Sequence, residues 1–497
     1  MQIKKQQLML RRWIDKDEQR SYLEVPFAVE GAVERIDIAY RYDRGKNGGT
    51  VVDIGLRSPK RIVGWSGGAR EAFFVGTDKA TPGYLAEPIA QGEWAVLLGA
   101  YKIPEGGAEV IVEVELTRPH GRWMKGDLHM HSVHSDGSYT IEQAKESCRA
   151  RGLEFMALTD HNTSSQNHAA LVPDEELLLI PGVEMTSYFG HANVLGVSNA
   201  LQDFRVTTPA QADLVLKEAR ERGGFVSLNH PFCPSCPWEL GFDVPYDAIE
   251  VWNGPWRGLN ERALAWWQGQ LAKGRRVIAL GGSDAHREER YVKHGRPTAS
   301  VWAETDTVHG VLAGIRQGRV VLQFDPDETC LALSAGEYGI GETIPRKAIE
   351  GEDGIVALTI DVCGAKGDRV LLWSDRGIEA AWDIAVLPAF VEAKEWESDA
   401  TEASGWTVQR EIAEILEYDA TDNKDCAPWE PVAGEATPQL IETENGQVRL
   451  VFLGSSDRLF YRLEARRNVK GLKQSAVTCL TNPIYIDQDG PLGIDSI

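Results

Sequence analysis

Apolar and polar residues alternate with a period of two through the first part of the chain. Ile36, Ile38, Tyr40 and Tyr42 are separated by Asp37, Ala39 and Arg41, and Val110, Val112, Val114 and Leu116 are interleaved with Ile111, Glu113 and Glu115. Successive side chains of a strand point to opposite faces, so this pattern predicts strands with one buried face. Glycine-bearing turns, DRGKNGGT and PEGGAE, separate the runs. Residues 1–122 are therefore expected to form a β-sandwich-like domain.

The period changes at Trp123. Short apolar runs (FMALT, ELLLI, NVLGV, FVSLN, AIEVW, VIALGG, ASVWA) now alternate with segments of helical spacing. Thr140 and Gln143 form a capping box that opens a helix through Arg151, with Gly152 as its stop. Thr208 and Pro209 open a second helix, whose Ala212, Val215, Leu216 and Ala219 share one face. Leu259, Ala263, Trp266 and Trp267 mark a third. Apolar runs without alternation are buried on both faces, which predicts an α/β domain over 123–324 built as a parallel barrel ringed by helices. From residue 325 to 497 the pattern returns to β character (IVALTIDV, DRVLLWS, RLVFLG, LFYRLEA), with an acidic insertion at about 376–435.

The 497 residues carry 74 acidic against 52 basic side chains, a formal charge of −22. Such a surface disfavours nucleic acid and anionic membranes but leaves a small-molecule substrate open. The N-terminus has no apolar core of a signal peptide, no run is long enough to span a bilayer, and seven scattered cysteines suit reduced thiols; a cytoplasmic location is expected. The pattern is silent on oligomeric state.

The chemistry concentrates at the ends of the predicted strands. His161 follows Phe155–Thr159, His230 follows Phe225–Leu228, and Asp284 and His286 follow Val277–Leu280. Glu184 lies just past Leu177–Ile180 and a Pro181-Gly182 turn, and His191 stands in FGHAN. His129 and His131 are two apart, so an extended chain points both to one face. With Asp136 these make nine imidazole or carboxylate groups, more than one ion can use, and their chemistry suits Mn, Fe or Zn. Any one such histidine by itself is more commonly a polar residue with ordinary partners; the order along successive strands is what singles out the set. Arg257, Arg287 and Arg296 follow the same strands and are candidates for binding a phosphate, while Trp252, Trp256 and Phe232 could wall an apolar substrate. Cys233 and Cys236 form a CxxC beside His230 without a second pair, and read as an incidental loop feature.

DLHMHSVHSDG, LTDHN, PGVEMTS, LNHP and GGSDAH resemble the successive motifs of the PHP (polymerase and histidinol phosphatase) metallohydrolases. The flanking IEVWNG and GRPTASVWA look most like the branch with carbaryl-hydrolase-like enzymes and metal-dependent phosphoesterases. The resemblance spans about 123–322 and implies a distorted (β/α)7 barrel with two or three metals. It implies that His129, His131, Glu184 and Asp284 hold one ion. Glu184 would bridge to a second completed by His191 and His230, and Asp136, His161 and His286 would hold a third. Asp136 stands where some members have histidine, and Asp160 is expected to orient a ligand rather than be one. A hydroxide held by ions on Glu184, Asp284 and His230 would attack a small phosphate ester, or alternatively an amide, ester or carbamate. A non-catalytic metal-dependent binding protein and a carbohydrate- or polymer-binding protein are the competing classes.

Overall fold

A computed structural model describes residues 5–385 and 439–487, apart from 32, 46–48, 78, 119–120, 173, 175, 200, 350–353, 445–446 and 469–474. It divides into two units, 1–122 with 303–311, and 123–302 with 312–497. Most of the sequence between 376 and 435 read as an acidic insertion lies outside the described residues.

The first unit contains two four-stranded antiparallel sheets. One carries the strands Lys5–Ile14, Ala108–Thr117, Arg35–Tyr42 and Ala72–Gly76 in that spatial order; the other carries Tyr22–Val29, Gly92–Lys102, Val51–Arg57 and Ile62–Gly67. The period-two residues do what the pattern predicts: Ile36, Ile38, Val110, Val112, Val114 and Leu116 are buried and pack with Val52, Ile54, Leu56, Val96 and Leu98 of the other sheet in one core. Each such side chain contributes roughly 1.5–3 kcal/mol by leaving water.

The second unit is mixed α/β. Seven strands, Arg122–Asp127, Phe155–Leu158, Leu178–Ser187, Gly190–Leu195, Phe225–Asn229, Ala248–Asn253 and Ile278–Gly282, lie side by side in sequence order. The helix Ile141–Ala150 begins at the Thr140/Gln143 capping box, with reciprocal bonds of 3.2 and 2.9 Å, each such cap being worth about 1 kcal/mol. Its Ala144 and Cys148 pack on Met130, Met156 and Leu158. The helices Pro209–Glu221 and Gly258–Ala272 also appear where the spacing puts them.

Two local expectations fail. Pro181 and Gly182 are not a turn; both lie inside the strand Leu178–Ser187, which therefore carries Glu184 itself. Proline lacks an N–H, but Gly182 N–H donates to the Asn167 side chain (3.0 Å), so the chain stays extended without the usual ladder bond. The strand Gly190–Leu195 is not parallel to its neighbours: it runs antiparallel to both Leu178–Ser187 and Phe225–Asn229. Only two residues, Tyr188 and Phe189, separate it from the preceding strand, too few for a parallel crossover.

The sheet does not stop at residue 324. From Arg122–Asp127 it continues through Thr298–Ala303 and Val320–Gln323 to Ser475–Thr481, Phe460–Asn468, Asp368–Ser374 and Gly377–Asp383. A five-stranded sheet that includes Cys330–Ala335, Ile355–Cys363 and Gln447–Ser455 shares a core with this extension. No described helix is long and apolar enough to cross a membrane.

Candidate metal centre

The site is built on backbone that converges at one end of the seven strands. Asp127, fully buried, accepts N–H bonds from His129 (3.2 Å), Ser283 (3.0 Å) and Gly295 (2.6 Å), pinning three segments together. Met130 and Ala285 form a parallel bridge. A Cβ on Gly282 would stand 2.3 Å from His129 Cβ, so only glycine lets these segments approach. His230 (φ 29°) and Asp284 (φ 54°) are in left-handed backbone, a strained conformation for such residues that is found preferentially at functional sites.

The structure brings all nine candidates together around Glu184. Its Oε1 lies 3.3 Å from His129 Nε2, 3.3 Å from His191 Nδ1 and 3.6 Å from His230 Nε2. Its Oε2 lies 2.6 Å from His161 Nδ1 and 3.5 Å from His131 Nε2. Asp284 Oδ1 is 3.0 Å from His131 Nε2 and 3.4 Å from His129 Nε2. Asp136, more exposed than the rest, reaches His286 Nε2 (3.3 Å) and His161 Nε2 (3.5 Å). Three groups that could each hold an ion are His129, His131 and Asp284; His161, Glu184 and His191; and His131, Asp136, His161 and His286. A fourth, His191, His230 and Cys236, includes a thiol that the sequence reading left out of the set.

This donor set fits divalent cations. His129 and His131 turn their Nε2 atoms toward each other at 3.1 Å and toward Asp284 Oδ1 at 3.4 and 3.0 Å, so one cation between them could take all three as ligands. His131 Nδ1 and His191 Nδ1 are buried without a hydrogen-bond partner among the described residues. The carboxylates stand ready in ionised form: burial opposes their charge, yet the surrounding histidines hold Glu184 and Asp284 well below the usual carboxylate range. Burial also opposes a charge on His129, but Asp284, Glu250 and Glu184 raise its pKa well above the ordinary value. Against the same burial cost, Glu184 and Asp284 raise His230 to about 9. Without metal these rings hold protons at neutral pH, and ligation must expel them. Metal uptake is therefore expected to release protons. Affinity should fall by about tenfold per pH unit for each proton displaced as pH drops below about 9. Titration calorimetry in buffers of different ionisation enthalpy measures the proton count.

Around the nine sit groups that the motif reading did not assign. Glu250, buried in the strand Ala248–Asn253, accepts from His129 Nδ1 (3.0 Å), His230 N–H (3.0 Å) and Asn253 Nδ2 (3.0 Å). It fixes the ring that faces Glu184. Asn229 donates to Glu184 Oε1 (2.8 Å) and Asn253 to Asp284 Oδ2 (3.2 Å). A carboxylate inside the apolar run AIEVW was the signal for Glu250. Glu250→Gln is expected to weaken metal affinity by about 10–100-fold, the usual effect of losing a partner behind a ligand; competition with a chromogenic chelator measures it. Among the described residues Asp160 accepts from no histidine ring. It accepts from Ser132 N–H and Oγ and from Ser135 Oγ, and so holds the loop that carries Asp136.

The three arginines separate. Arg296 is buried and its guanidinium is bound to Asp325 at 2.5 and 3.1 Å, which commits it to the structure rather than to a ligand. Arg287 is 59% exposed, and Glu289 lies 4.0 Å from its Nε. Arg257 is half-buried, its Nε has no hydrogen-bond partner among the described residues, and Nη2 lies 3.7 Å from where a Cβ of Gly254 would stand, next to Asn253. Trp252 and Trp256 are fully buried and pack edge to face at 4.8 Å, so they are core rather than walls of a substrate pocket. Phe232 instead stacks with Phe242 at 6.0 Å.

No family model matches the chain. Over 39 residues, 8% of its length, it is 51% identical to the DNA polymerase/3'-5' exonuclease PolX of Bacillus subtilis (strain 168), of which it covers 7%. Over 64 residues, 12% of its length, it is 42% identical to the phosphoribosyl 1,2-cyclic phosphate 1,2-diphosphodiesterase of Eggerthella lenta, of which it covers 24%. A solved two-domain protein from Bacteroides vulgatus containing a predicted PHP-like metal-dependent phosphoesterase aligns with a TM-score of 0.35 and 16% identity, over 73% of this chain and 96% of that one. The chain thus spans under a quarter of the length of the first two curated relatives. These sequence similarities are confined to stretches of 39 and 64 residues of this chain.

Proposed function

We propose that the protein is a metal-dependent hydrolase acting on a small phosphate ester, with a distorted barrel as the scaffold of its site. The observation that carries this reading is the Glu184 carboxylate, fully buried and within 3.6 Å of His129, His131, His161, His191 and His230. His129, His131 and Asp284 would hold one ion, Glu184 would be shared with a second at His191 and His230, and Asp136, His161 and His286 would hold a third. Divalent ions in such a site supply Lewis acidity and lower the pKa of a coordinated water from about 15.7 to about 7. The protein's own groups fix the geometry: Glu250 and Asn253 hold His129 and Asp284 in place, and Asn229 keeps Glu184 aimed inward. Arg257 would bind the phosphoryl oxygens, since a guanidinium pairs with two oxygens at once.

The choice of phosphoester over carbonyl substrates is supported by Arg257 and by the burial of Trp252 and Trp256 in the core. The test combines elemental analysis with a panel of p-nitrophenyl phosphate, its diester, and p-nitrophenyl esters and carbamates under added Mn, Fe or Zn. Two or three metal equivalents per chain with turnover of phosphoesters are expected. Turnover confined to esters or carbamates overturns the substrate class, full metal with no turnover favours a binding protein, and under one equivalent overturns the centre itself.

A further inference from the structure

The dithiol Cys233 and Cys236 has no part in the hydrolytic reading, yet it sits on the loop that leaves His230. Cys233 N–H donates to the His230 carbonyl (2.9 Å), and this tight turn brings the two sulfurs to 3.4 Å. Cys236 Sγ also stands 3.6 Å from His230 Nδ1, while Nε2 of the same ring faces Glu184 at 3.6 Å. The sulfur thus occupies the place behind a ligand histidine where a carboxylate or carbonyl usually stands. Both cysteines are half-buried, and neither is in a disulfide.

We propose that Cys233 and Cys236 are a redox-active pair that closes to a disulfide under a hydroperoxide and thereby loosens His230 in the metal centre. A disulfide needs its sulfurs at about 2.05 Å, so closure requires a modest movement of one sulfur toward the other. Closure turns the Cys236 thiol beside Nδ1 into a disulfide sulfur, a weaker partner for the ring, and any movement of Cys236 Sγ toward Cys233 lengthens that contact further. The two cysteines are prepared for different roles. Cys236 S–H donates to the Cys233 sulfur (3.4 Å), which makes Cys233 the attacking sulfur and Cys236 the resolving one.

The Cys233 thiolate attacks one peroxide oxygen, the O–O bond breaks, and the departing alkoxide or hydroxide takes a proton from solvent. The product is a sulfenic acid on Cys233. Cys236 sulfur then attacks Cys233 sulfur, the S–O bond breaks, and the leaving hydroxide departs as water with the Cys236 proton. The peroxide gains the two electrons that the dithiol loses, and a thiol reductant reverses the change. The disulfide itself is independent of the hydrolytic reading; only its effect on metal binding rests on His230 being a ligand.

The test uses the full chain loaded with zinc, which has no redox chemistry of its own. Stoichiometric hydrogen peroxide is expected to remove two hydrogens from the intact mass and to yield a Cys233–Cys236 linked peptide. Dithiothreitol should undo both, and Cys233→Ser and Cys236→Ser should each abolish the link. Zinc affinity, read with a chromogenic chelator, is expected to fall by at least about tenfold on oxidation and to recover on reduction. Absence of the linked peptide overturns the proposal, and so does a linked protein whose zinc affinity is unchanged. A chain that binds no zinc in either state overturns the metal-centre reading and the coupling with it, while the peptide still decides whether the pair is redox-active.

Discussion

Glu184→Gln is expected to lower kcat/KM by on the order of 1000-fold, about 4 kcal/mol at 1.36 kcal/mol per tenfold, and to release more than one metal equivalent at once. The substitution conserves shape but removes the charge that five histidines face. Asn229 donates to Oε1 and stays in place, so the loss does not arise from a cavity. It arises because a neutral amide neither bridges two cations nor balances their charge at a fully buried position. Metal per chain after dialysis, measured alongside steady-state kinetics and thermal melting, separates this outcome from unfolding. A variant that keeps its full metal complement and activity would show that Glu184 is not shared between ions.

The second large effect is selective. Arg257→Ala is expected to cost roughly 100-fold in kcat/KM on phosphoesters, the scale of removing one donor aimed at developing charge. Any residual turnover of p-nitrophenyl esters should stay within about twofold. Arg257→Lys should recover only part, because an ammonium cannot reproduce the planar fork. The helix Gly258–Ala272 keeps its start in these variants, since the bonds to Asn260 and Glu261 N–H come from the Arg257 carbonyl. Arg287→Ala, at an exposed side chain, serves as the comparison and is expected to change neither class. Equal losses on phosphates and esters would mean that Arg257 supports the fold of the site and not the substrate.

The sequence made the donors legible but not their supports. His129, His131, His161, His230, Asp284 and His286 stand out because apolar strands end and polar groups begin, a contrast that local pattern records. Glu250 hides in the opposite situation, a charge within an apolar run, where only its three buried hydrogen bonds explain it. Pro181 and Gly182 mislead because their turn propensity is local, whereas the Asn167 side chain that lets the strand continue arrives from another segment. The continuation of the sheet from Val320–Gln323 to Ser475–Thr481 has the same cause: pairing between strands so distant in sequence leaves no local mark. Arg296 could not be separated from Arg257 by sequence, because what distinguishes them is the position of Asp325.

The reversed strand Gly190–Leu195 bears on how such a site could diversify. Because the chain turns back at Tyr188 and Phe189, His191 is delivered from the start of a strand, and the turn between Glu184 and His191 lies at the site's own edge with Tyr188 fully exposed. A hairpin tip accepts insertions without disturbing the ladder beneath it. Recharging Tyr188 would alter the surface beside the site while leaving both neighbouring donors in register, whereas Phe189 is held by Glu239 N–H on its carbonyl (2.8 Å). For selection in the laboratory this tip is a place where new substrate preferences could be sought at little cost to the metal centre.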